Sequence, residues 1–151
     1  MLRKRCIYAG CVIIVIVVAI FFLYRTETPS SQFGGVSLKI DYATTEIARE
    51  RGLGGRKSIP SDYGMLFVFP KDDYYGFWMK DMLVPIDIFW LNDKGQVISI
   101  SESVNVSSYP NVFYPTVPVR YVLETVAGFA REHSISIGTP LMLKNFPSVS
   151  E

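Results

Sequence analysis

The chain has 151 residues, 49% of them hydrophobic, a formal net charge of +1 and two cysteines. Cys6 and Cys11 both stand at or inside one apolar run, so the remainder has no disulfide and no thiol nucleophile. After Arg25 there are 14 acidic residues against 11 basic ones, a net charge of about −3; this excludes a basic nucleic-acid surface, and no nucleic-acid partner is expected.

The first element is apolar. Residues 1–6 hold Arg3, Lys4 and Arg5, and Ile7 to Tyr24 then runs without a charge until Arg25. At about 1.5 Å per residue a helix over 7–24 spans roughly 27 Å, the thickness of a bilayer core. Three basic residues before the run against one after it predict a cytoplasmic N-terminus and an extracytoplasmic remainder. Phe21-Phe22-Leu23-Tyr24-Arg25 lacks the small residues of a signal-peptidase site, which favours an uncleaved anchor over a cleaved leader. Tyr8-Ala9-Gly10-Cys11 is a weak lipid-attachment match, because the apolar run follows Cys11. The β-branched stretch Val12 to Val18 also suits a buried strand, but such strands run about 4–8 residues.

Residues 25–35, rich in Ser, Pro and Gly, read as a flexible linker, with ordered structure expected from Val36. One domain over 36–146 follows, and 147–151 is a tail. Val36 to Tyr42 alternates as a half-buried strand. Thr44 to Arg51 is a short helix that Thr44 or Thr45 can cap and Gly52 ends. Gly52, Gly54 and Gly55 make a tight bend. Gly64 to Phe69 and Tyr75 to Met79 are aromatic-rich strands around a loop at Pro70 to Asp73. Ile86 to Leu91 and Gln96 to Ile100 form a hairpin over Asn92-Asp93-Lys94-Gly95. Ser107 to Pro118 is an irregular loop, Arg120 to Glu124 a strand, and Thr125 caps a helix that ends near His133. Pro140 to Phe146 is the last strand. These elements predict a mostly β (α+β) domain, barrel-like or two-sheeted, with two short helices behind a transmembrane helix.

Six ordered segments carry a family resemblance: Ala48 to Leu53 with Gly55-Arg56, Gly64 to Pro70, Phe77 to Lys80, Pro85 to Ile88, Arg120 to Glu124, and Ala127 to Ala130. Over Val36 to Phe146 the chain resembles the domain of unknown function 192 family. The resemblance implies a small β-rich domain, often behind a signal peptide or anchor, and no accepted activity. Gly54 stands where the family usually has Met, Asp81-Met82 replaces Asn-Thr, and the Ser107 to Pro110 loop lacks the cysteines of many members.

Asp87 is the most informative polar residue. It shares a strand face with Phe89 and Leu91, between two apolar faces, so its carboxylate needs a partner. Arg56, Lys80 and Arg120 are candidates, and loop amides are the structural alternative. Arg120 and Glu124 share a strand face about 13 Å apart, so each must find another partner. Glu102 ends the Ile98/Ile100 face. Arg56, Trp78, Lys80, Asp87, Glu102, Arg120 and Glu124 form either one polar network or several separate pairs. Phe77-Trp78-Met79 reads as a stacking platform for a sugar or peptide, or as core packing.

No metal site or cofactor is expected, since the outer part has one His and no Cys. His133 at a helix end suits a dipole contact better than a catalytic triad, and Gly52 to Gly55 is not a phosphate loop. Asn105-Val106-Ser107 matches a glycosylation acceptor, a pattern common by chance. Three functions compete. The first is a non-enzymatic envelope module that binds a glycan, peptide or protein, with the bilayer as its second partner. The others are a hydrolase pairing Asp87 with Glu102 or Glu124 and a structural or assembly protein.

Overall fold

A computed structural model describes residues 31–149, and the predicted anchor over 7–24 lies outside them. Among the described residues no helix is long and apolar enough to cross a membrane. The chain folds as β1 (Ser31–Phe33), β2 (Val36–Ala43), α1 (Glu46–Arg51), β3 (Tyr63–Asp73), β4 (Phe77–Trp78) and β5 (Ile86–Leu91). It continues with β6 (Val97–Val104), a 3-10 turn (Val106–Ser108), β7 (Val112–Phe113), β8 (Val119–Val126), α2 (Phe129–Glu132) and β9 (Leu141–Met142).

Seven strands form one curled half-barrel sheet in the order β6-β5-β8-β3-β2-β1-β9, and β4 pairs with β7 in a second, small sheet. β2 and β3 run parallel with α1 as their crossover, while every other named pair is antiparallel. The β5–β6 turn ties back to the far edge: Leu141 N–H donates to Gly95 O (2.9 Å), Val97 N–H to Thr139 O (3.0 Å) and Gly138 N–H to Val97 O (2.7 Å). The mostly β architecture is thus as expected, and the curl comes from strands that twist and bulge.

Both faces of the sheet are covered. Phe67, Phe77, Met79, Met82, Ile86, Ile88, Trp90 and Val122 fill one core, against α1 and the small sheet. Phe33, Leu66, Val68, Phe89, Leu91, Tyr121, Leu123, Phe129 and Leu141 fill the other. All six residues of β5 are buried, as its two apolar faces predict.

Several boundaries depart from expectation. Ordered structure begins inside the predicted linker, because Phe33 is fully buried between Phe89 (centroids 5.0 Å) and Phe129 (6.0 Å). Gly34 and Gly35, at φ 60° and 80°, supply the two-residue turn into β2. β3 runs through the expected Pro70 to Asp73 loop, with its pairing to β8 shifted between Val68 and Asp73; the irregularity tolerates a proline that cannot donate. The Ser107 to Pro118 loop contributes β7. Thr125 does not cap a helix. It is fully buried in β8 opposite Asp87, and α2 is four residues opened by Gly128 in a left-handed conformation. The last strand shrinks to Leu141–Met142. Beyond it Phe146 packs on Tyr121 (5.0 Å), and the Tyr121 hydroxyl donates to Pro147 O (3.2 Å), so part of the expected tail is fastened to the core.

Candidate functional site

Glu124 is the residue around which a site is built. It lies centrally in β8, opposite Ile88 of β5 and Met65 of β3, so its side chain enters the Phe67–Trp90 core. It is 4% exposed. The Leu53 amide donates to its carboxyl, and Oε2 has no partner among the described residues. Burial pushes the group up to about 8 from an ordinary 4.5, with the Leu53 hydrogen bond pulling the other way.

The segment over Glu124 is shaped by local rules. Thr45 caps α1, accepting from Ala48 N–H (3.2 Å), with Glu46 in the first turn. The helix ends at Gly52, whose φ 50° and ψ −135° suit glycine alone. A Cβ there would stand 3.2 Å from Phe67 Cζ and 3.5 Å from Glu124 Oε2. Gly54, at the departure from the family pattern, is equally tight: its Cβ would meet Arg51 O at 2.9 Å.

Between α1, β3, β4 and β8 opens a cleft of about 450 Å³. Phe67, Phe69, Tyr75, Phe77, Trp78, Leu53 and Met82 supply its apolar surface. Glu46, Arg49, Glu50, Arg51 and Lys80 supply its charges, and Glu124 lines it from below. Phe67 meets Phe77 edge-on at 4.8 Å, and Phe69 stacks on Tyr75 at 3.5 Å. Arg49 is half committed to the fold: its Nη1 donates to Thr44 O (2.8 Å) and Val68 O (3.0 Å), and its guanidinium lies 5.4 Å from the Phe69 ring centroid. Phe77 and Met79 turn inward, whereas Trp78 is half exposed with Lys80 Nζ 5.9 Å from its ring. The core-packing reading of Phe77-Trp78-Met79 holds for Phe77 and Met79, and Trp78 alone is left on the open side of the cleft.

Of the seven residues singled out from sequence, Trp78, Lys80 and Glu124 meet at this cleft. The other four do not join them. Asp87 needs no cationic partner: it accepts from the amides of Ser103 (2.6 Å), Gly128 (3.1 Å) and Ala130 (2.7 Å). Arg56 pairs with Asp41 (3.6 Å) and lies over Tyr63, and Arg120 pairs with Asp72 (2.7 Å). Glu102 is exposed at a bulge of β6, where the register slips between Ile86 and Ile88. A second slip separates Ile98 and Ile100 into different cores, so the single face assigned to them and Glu102 does not exist. Asp87 opposes Thr125 while its neighbour Ile88 opposes Glu124, so the two carboxyls leave opposite faces of the sheet and share no cleft. A hydrolase built on that pair is not supported.

The cleft residues not singled out from sequence include Arg49, Gly52, Phe67, Phe69 and Tyr75. The run of aromatics from Phe67 to Trp78 was visible. What it lacked was the knowledge that α1 crosses above it.

A curled β domain with an aromatic cleft over a buried acid defines the class of molecule. The chain belongs to the domain of unknown function 192 family, described as Uncharacterized ACR, whose model matches residues 28–143. No curated protein matches it. Among solved structures, it is similar to a Sinorhizobium meliloti 1021 protein provisionally described as a transcription regulator. That pair shares 30% identity over 72% of this chain and 83% of the other, with a TM-score of 0.68. A Novosphingobium aromaticivorans DSM 12444 protein of unknown function shares the fold at 24% identity and a TM-score of 0.65, over 70% of this chain and 75% of that one.

Proposed function

We propose that this protein is a membrane-anchored, extracytoplasmic module of the cell envelope that binds a small ligand, or a short piece of a larger glycan or peptide, in the cleft beneath α1. One observation carries the binding half of this reading: the aromatic cleft contains a buried carboxyl with an oxygen that no group among the described residues satisfies. Buried polar groups are normally hydrogen-bonded, and those left open concentrate at sites that meet something else. A volume of about 450 Å³ lies within the range of small-ligand sites. The anchoring half rests on the uncharged run over 7–24 and the basic residues before it.

The two halves are tested separately. Reporter fusions after residue 35 and after residue 151 are expected to be active only outside the cytoplasm; cytoplasmic activity at both would remove the anchor. Full-length protein in lipid nanodiscs, titrated with envelope glycans and peptides, is expected to show a saturable change in tryptophan fluorescence. Trp78→Phe should abolish that change while leaving the buried Trp90 signal intact. Absence of any saturable response across the panel would remove the binding half.

A further inference from the structure

We propose that the cleft selects an uncharged ligand with a flat apolar body and a carbonyl oxygen, and that Glu124 meets that oxygen as a neutral hydrogen-bond donor. The inference rests on the ligand-site reading above and adds the chemical class of the ligand. Its geometry is specific. Oε2 is buried in the cleft and has no partner among the described residues, while Leu53 N–H donates to the carboxyl, so Oε2 is the position left for the proton of the neutral acid. A protonated acid with its acceptor side engaged has one unused function, its O–H.

The surroundings argue against a charged ligand of either sign. From β3 and β5 the groups opposite Glu124 are Met65 and Ile88, which carry no charge. From α1 the cleft receives Glu46, Arg49, Glu50 and Arg51, and from the β4 side Tyr75 and Lys80. A cationic ligand would enter past Arg49, Arg51 and Lys80, and an anionic one past Glu46 and Glu50. No cation among the described residues balances Glu124: the three ion pairs join Lys39 to Asp62, Arg56 to Asp41 and Arg120 to Asp72. Ionising Glu124 there is costly, whereas a carbonyl placed against its O–H satisfies the open position without moving charge. The rings of Phe67, Phe77 and Trp78 offer faces and edges to a flat ligand body.

Three probes of nearly one shape separate the possibilities: benzamide, benzylamine in its cationic form, and benzoate. The full-length chain in nanodiscs, labelled with ¹³C at methionine methyl groups, reports through Met82, which lines the cleft, with the exposed Met142 of β9 as a control. At about pH 6 benzamide is expected to shift Met82 saturably and bind at least about tenfold tighter than either ion, a difference near 1.4 kcal/mol. Its affinity should fall about tenfold for each pH unit above the Glu124 transition. Glu124→Gln keeps a donor that cannot ionise, so benzamide binding should persist and lose its pH dependence. Preferential binding of benzylamine, tightening as pH rises, would overturn the proposal and leave the ligand site standing. A Met82 signal that saturates with none of the three would overturn this proposal, and the ligand site stands or falls separately on the glycan and peptide titration.

Discussion

Asp87 and Glu124 are both buried carboxyls on adjacent strands, and their fates differ because of what reaches them. Asp87 is ringed by three amides from the β6 bulge and the start of α2. Charge-assisted bonds of this kind hold the α2 segment against the sheet. Asp87→Ala strands three donors in the interior, and equilibrium urea unfolding is expected to show a loss of about 3–5 kcal/mol. Glu124 receives one amide, and its protonation is held up by burial. Its folded value of about 8 lies above its unfolded value of 4.5. The stability it contributes is therefore complete below the unfolded value and is lost as pH rises toward 8. In that window wild type should lose about 1.4 kcal/mol per pH unit relative to Glu124→Gln. Parallel thermal melts of the two proteins across the window check this; curves that stay parallel would mean that Glu124 titrates as an ordinary surface acid. Sequence reading located both carboxyls and foresaw a partner for each. For Asp87 the loop-amide alternative holds and the cationic candidates do not. Which amides reach it could not be read, because amides leave no mark on side-chain identity, and the open oxygen of Glu124 leaves none at all.

At the scale of elements, strong patterns were legible and junctions were not. The β5 strand, the Asn92–Gly95 turn and the Thr45-capped helix emerge from alternation, turn chemistry and capping, each a rule about a few consecutive residues. The β6 bulges, the passage of β3 through Pro70 and the reduction of α2 to one turn depend on what lies opposite in the fold. Val126, inside the helix expected after Thr125, instead faces Ile86 in the ladder. The same dependence makes the α1 exit vulnerable. Gly52→Ala imposes a Cβ on a backbone angle that disfavours it and presses on Phe67, so a loss of about 1–3 kcal/mol is expected in urea unfolding. The cleft should change with it, read as a shifted Met82 methyl resonance. By contrast, Arg120→Gln removes an ion pair whose side chains are 33% and 47% exposed. It should cost no more than about 1 kcal/mol, and less in high salt.

For the whole molecule, composition and chain order were enough to anticipate a mostly β domain with two short helices, since many short strands must close around a core or cover it. The curl of the sheet, its strand order and the small second sheet could not be read, because they arise from pairings between segments far apart in the chain. The most distant of these joins β1 to β9, with Gln32 beside Met142 and Phe33 beside Leu141. The first strand of the domain and its last are therefore next-door neighbours. A few added residues could splice the two and let new ends be opened in an exposed turn such as Asp93-Lys94. A circular permutant of this kind should fold and melt within a few degrees of the parent, and it would present the cleft on a scaffold whose free ends point elsewhere.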